Sequence, residues 1–141
     1  VADFVIRGVF RDGEPIAGSA ATAVTATPIA VASGTDFSVQ VNLVDHFGLP
    51  VDLNLAGTDQ MVLSVRSQLV AQPAFSKLAT KLSAGSYLFQ VASTDTRDLG
   101  GLHVFDVWAR RAGASKQVVG PSYLDLGVRA AALPLPTNPP P

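Results

Sequence analysis

The chain has 141 residues, no cysteine and a formal net charge of −1 from ten basic and eleven acidic side chains. That length suits one domain that buries roughly two thirds of its unfolded surface, and the lack of cysteine excludes disulfide frameworks and thiolate metal sites. Balanced charge without long runs excludes a nucleic-acid groove, which needs clustered Lys and Arg to displace counterions.

Asp3 to Phe10 reads as a strand with Phe4, Ile6 and Phe10 on one side. Arg11-Asp12-Gly13-Glu14-Pro15 follows as a turn, because Asp-Gly supplies the positive backbone angle of a tight reversal. From Pro15 to Thr35 there is no charge at all. Two readings of that gap stand side by side: a strand within the domain interrupted at Pro28, or an extended arm laid on a neighbouring subunit. Pro28 restricts any strand here to an edge or a break. Charged residues are 15% of the chain against roughly 25% in an ordinary soluble domain. Surface covered by other chains would explain this, and so would an Ala-rich coding bias.

Phe37, Val39, Val41 and Leu43 alternate with Ser38, Gln40 and Asn42, the period of two of a strand with one buried face. Asp45-His46-Phe47-Gly48 breaks the run with turn chemistry, and Leu49-Pro50-Val51-Asp52-Leu53 resumes in extended form. Met61, Leu63 and Val65 mark the next strand, Ala74 to Leu82 a weaker one, and Tyr87, Phe89 and Val91 a clear one. Thr94 to Leu99 reads as one helical turn capped by Thr94 or Asp95. Leu102 to Arg111 is a strand, Ala112-Gly113-Ala114-Ser115 a hairpin loop and Lys116 to Val119 the returning strand. Pro121 interrupts it, and Tyr123 to Arg129 completes it with Leu124, Leu126 and Val128 on one side. About seven short strands between Gly- and Pro-containing turns predict an all-β antiparallel β-sandwich. Residues 1–33 are expected as an N-terminal arm or edge strands, 34–129 as the sandwich, and 130–141 as a Pro-rich extended tail.

No reactive constellation emerges. The two histidines are His46 in a turn and His103 on a strand, and no Gly-x-Ser-x-Gly elbow presents a serine to either. Two histidines without cysteine fall short of a zinc ligand set. Asp45, Asp52 and Asp59 match no calcium loop and suit turn capping. Arg110, Arg111 and Lys116 form a small basic cluster at a hairpin tip. No catalytic group, metal or cofactor is expected. No apolar run reaches the roughly 18 residues needed to cross a bilayer, and no basic region followed by an apolar stretch opens the chain. Neither a membrane nor a nucleic acid is expected as a partner. Trp108 shares a strand face with Val104, Asp106 and Arg110. With Phe105 inward it lies on the outer face and can anchor a contact, unless the strand is buried on both sides or a bulge flips its register.

Four segments, in order, are Gly34-Thr35-Asp36-Phe37, Gly48-Leu49-Pro50-Val51-Asp52-Leu53, Leu63-Ser64-Val65-Arg66 and Gly100-Gly101-Leu102-His103-Val104-Phe105-Asp106-Val107. This ordering resembles the N-terminal immunoglobulin-like domain of bacteriophage baseplate upper proteins and related head and tail proteins, over Gly34 to Arg129. It departs from that pattern at Asn54-Leu55-Ala56-Gly57 and in lacking tyrosines between Leu102 and Phe105. Residues 1–33 and the tail have no counterpart. The resemblance implies a non-enzymatic virion protein that binds other virion proteins as a homo-oligomer in a symmetric assembly. The main expectation is a capsid decoration or cement protein. A tail or baseplate component, or a free carbohydrate- or peptide-binding module, is the alternative. The residues expected to make contacts are Phe4, Ile6, Val24, Ile29, Trp108, Leu133 and Leu135.

Overall fold

The computed structural model describes residues 2–10, 24–25, 28–67 and 73–127. In chain order the elements are β1 (Phe4–Phe10), β2 (Val24–Thr25), β3 (Ile29–Ala32), β4 (Phe37–Asp45), β5 (Gln60–Ser67), β6 (Phe75–Leu78), β7 (Thr80–Ser83), β8 (Ser86–Val91), α1 (Ser93–Thr96), β9 (Gly101–Arg111) and β10 (Ala114–Gly127). The alternating apolar positions set which side chains go inward. β4 buries Phe37, Val39, Val41 and Leu43, β5 buries Met61, Leu63 and Val65, and β8 buries Tyr87, Phe89 and Val91. The expected turn at 11–15 and the tail at 130–141 lie outside the described residues.

The strands form two sheets, ordered β1-β4-β8-β7 and β2-β10-β9-β5-β6, with β3 also paired to β10. Five pairings are antiparallel as expected, but β1 runs parallel to β4, and β2 and β3 run parallel to β10. The reason is the path of the chain. After β1 it leaves for the opposite sheet as β2 and β3, then returns to enter β4 in the direction in which it left β1; parallel pairing requires such a crossover.

Strands before residue 34 share one core with those after it. Ile6, Phe10 and Ile29 belong to the same buried cluster as Val41, Phe89, Phe105 and Leu124. Burying an Ile or Phe side chain is worth about 1.5–3 kcal/mol, so β1 and β3 are held by this chain's own interior. Pro121 does not end β10. Two register shifts against β9, between Gln117 and Val119 and between Val119 and Ser122, accommodate it within one continuous strand, the setting in which a sheet tolerates proline. Ala74 to Leu82 divides into β6 on one sheet and β7 on the other.

Three side-chain clamps hold the connections. The Asp45 carboxylate accepts from the amides of Phe47 at 2.8 Å and Leu49 at 3.0 Å, closing the turn after β4. The Tyr87 hydroxyl donates to the Val51 carbonyl and accepts from the Leu53 amide, both at 2.6 Å, strapping the extended segment across the end of the sandwich. α1 starts before the expected position, with the Asp95 carboxylate accepting from the Ala92 amide at 2.8 Å. The buried Thr96 hydroxyl then accepts from the Gly34 amide at 2.9 Å, tying the helical turn to the corner between β3 and β4.

Candidate interaction surfaces

The outer face of the six-stranded sheet can be built row by row from strand register, since residues directly opposite in an antiparallel pair share a face. Phe105, Val107 and Ala109 of β9 point into the core, which turns Val104, Asp106, Trp108 and Arg110 outward. One row reads Leu78, Val62, Trp108, Gln117. The next reads Ser76, Ser64, Asp106, and the third reads Arg66, Val104, Tyr123. Beyond these, Gln60, Arg110 and Ser115 make one end of the face, and Leu102 with Asp125 the other. Trp108 is 43% exposed and Tyr123 47%, so two large aromatic side chains face outward from neighbouring strands.

Between them sits a charge below the surface. Asp106 is only 4% exposed. Its Oδ2 accepts from Arg66 Nη1 at 3.0 Å and from Gln117 Nε2 at 3.4 Å, while Oδ1 has no hydrogen-bond partner. The guanidinium offsets the burial of the carboxylate. Arg66, Ser67, Val104, Pro121, Ser122 and Tyr123 line a shallow cleft of about 340 Å³ beside this pair. Such a surface offers apolar contact area with oriented polar groups, the makeup of a protein-binding patch.

At the basic end, Asp59 is committed to backbone: its carboxylate accepts from the Asn54 amide at 2.9 Å and the Ala112 amide at 3.1 Å. Those two amides, then Arg111 and Arg110, hold its carboxyl below the ordinary aspartate value. Asp95 is also lowered: burial pushes its carboxyl up, but the Lys77 ammonium at 2.9 Å and the Ala92 amide outweigh it.

The expected contact residues divide into four groups. Trp108 is on the outer face, as the inward Phe105 requires. Phe4 is half-buried, its ring edge-on to Phe37 at 6.1 Å. Ile6 and Ile29 are buried in the domain's own core, onto which the strands that carry them dock. Val24 pairs through its backbone with Val119 in β2. Leu133 and Leu135 lie outside the described residues. Of the two histidines, His46 is exposed in the turn beside the Phe47 ring, whereas His103 is buried within β9.

Sequence reasoning missed several exposed apolar side chains. Phe47 and Leu49, at 76% and 61% exposed, project from the turn that Asp45 closes; the mismatch of large apolar residues with turn chemistry was their signal. Leu78 on β6 and Leu82 on β7 are exposed along the edge where the chain changes sheet, and no periodicity marks them. Tyr123 was recoverable, since Leu124 and Leu126 inward put it outward.

No family model matches the chain, and no curated protein matches it. Among solved structures it is similar to the N-terminal domain of phage TP901-1 ORF48, with a TM-score of 0.48 and 11% identity over 88% of this chain and 98% of that one.

Proposed function

We propose that this chain is a non-enzymatic, immunoglobulin-like structural domain of a bacteriophage virion, seated in the tail or baseplate and bound to neighbouring virion proteins. The observation that carries this reading is where the four resembling motifs fall. Gly34 to Phe37 forms the corner that α1 clamps, and Gly48 to Leu53 is the strap that Tyr87 holds. Leu63 to Arg66 and Gly101 to Val107 are adjacent, paired strands at the centre of the six-stranded sheet. The motifs are thus the framework of one domain rather than scattered short matches. The orders β4-β8-β7 and β10-β9-β5-β6 correspond to the B-E-D and G-F-C-C′ sheets of an immunoglobulin-like sandwich.

A cement protein would use residues 1–33 as an arm bridging neighbouring capsomers. The described part of that segment spends Ile6, Phe10 and Ile29 on its own core, which weighs against such an arm. A surface rich in apolar side chains and separated histidines favours holding partners over turning over substrate. The test is immunogold electron microscopy, with antibody to the purified domain, on particles of a phage that encodes it. Label at the tail or its tip is expected. Label over the head restores the decoration reading, and unlabelled particles overturn the virion role.

A further inference from the structure

We propose that the outer face of the six-stranded sheet is a self-association surface, which pairs two copies of this chain face to face about a two-fold axis. The inference goes beyond the virion role and concerns the isolated chain, so either can fail without the other.

The pattern of the face matches itself when reversed. A two-fold lying in the contact plane and running across the strands sets β9 antiparallel over β9 of the second copy, centred on Asp106. The row of Trp108 then meets the row of Val104 and Tyr123, twice over. Likewise, the row of Arg110 meets the row of Leu102 and Asp125. Isologous contacts require this kind of self-complementarity. Trp108 of one copy falls on Val104 of the other, next to Tyr123 in the same row, and buried Trp and Tyr dominate interface energies.

Charge follows the same symmetry. The Arg110 end carries the exposed guanidinium of Arg110 on the outer face, with the nearby Asp59 carboxylate turned to the Asn54 and Ala112 amides. At the opposite end, Asp125 is exposed beside Leu102. Eight residues of β9 separate the two ends, roughly 27 Å at about 3.4 Å per residue. At the centre, Asp106 lies below the surface and is neutralised by Arg66, so the two central carboxylates do not confront each other.

Size argues for a second copy held weakly. At about 4.8 Å spacing, β9 and β10 over that length, with the shorter β5 and the four-residue β6 beside them, give a footprint of roughly 450 Å² per copy. The total of about 900 Å² lies just under the size of a stable specific interface, which predicts a weak dimer with a dissociation constant in the micromolar range.

Sedimentation equilibrium of the full chain from micromolar to millimolar concentration reads the association directly. Trp108, the chain's one tryptophan, gives a second signal, since its quenching by acrylamide should fall as concentration rises. Trp108→Ser should weaken association about thirtyfold. Arg110→Asp and Asp125→Arg should each weaken it about tenfold by placing like charges opposite each other. Mixing those two single variants should restore association as a heterodimer, because each then meets its complement at both ends. That rescue also shows that both variants are folded. A monomer at every concentration overturns the proposal. So does association that the charge swaps leave unchanged, or that mixing fails to restore.

Discussion

At the scale of single residues, the side chains that matter most are those whose polar atoms serve the backbone. Tyr87 is fully buried, and its hydroxyl satisfies both Val51 and Leu53. Tyr87→Phe keeps the ring but strands a carbonyl and an amide in the interior. The expected loss is about 2–3 kcal/mol in denaturant unfolding, whereas Tyr123→Phe, half-exposed, should change stability by less than about 0.5 kcal/mol. Asp59 and Asp95 carry lowered carboxyls. A carboxyl whose value is lower folded than unfolded stabilises fully above the unfolded value, and loses that contribution as pH falls through the folded one. The urea midpoint should therefore drop below the ordinary aspartate range, and Asp59→Asn should lower the neutral midpoint while flattening the acid decline. The capping role of Asp45 was legible, since Asp in a turn accepts from the amide two residues on; Asp59 instead accepts from amides 5 and 53 positions away, and Asp52 pairs with Lys81. The Tyr87 strap was not legible, because its partners lie more than thirty positions away.

At the scale of elements, β4, β5 and β8, whose burial alternates residue by residue, were readable because a buried face imposes a period of two on the sequence. β6 and β7 were not, since the run lies at an exposed edge where burial imposes no pattern. The parallel placement of β1 was hidden for a different reason: pairing with β4 is decided by the route through the opposite sheet, not by any local signal. That placement gives a sharp expectation. Deleting residues 1–10 removes Ile6 and Phe10 from the core, a loss of about 3–6 kcal/mol by burial alone, comparable to the whole stability of a typical domain. Loss of chemical-shift dispersion in the truncated chain would check it; a detachable arm would leave the spectrum intact. Turns can be ranked in the same way. Gly85 has φ +87°, and a Cβ there would lie 2.7 Å from Pro50 Cβ, while Gly113 at φ +86° has open space around it. Gly85→Ala should cost about 3 kcal/mol, and Gly113→Ala about 1 kcal/mol, in thermal or urea unfolding.

At the scale of the whole molecule, the two outer faces differ in kind. On the four-stranded sheet, Asn42 accepts from Gln40 at 2.9 Å and from Ser86 at 3.1 Å, a polar ladder suited to water. The opposite face carries Trp108, Tyr123 and the Arg66–Asp106 pair. That Trp108 lay outward could be read from Phe105 and Val107 inward, but which residues flank it depends on the register of β5 and β10, which no local pattern encodes. The place of β10 has one more consequence, for synthesis. This strand is bonded to β9 just before it and to β2 and β3 from the opening of the chain. Contacts that span most of the chain close slowly, and here they wait on β10, the last of the described strands to be made. Until residues 114–127 have left the ribosome, Ile29 and Phe105 have no complete interior to enter. A nascent chain stalled before that point should bind chaperones and be cut readily by protease, and one stalled after it should resist.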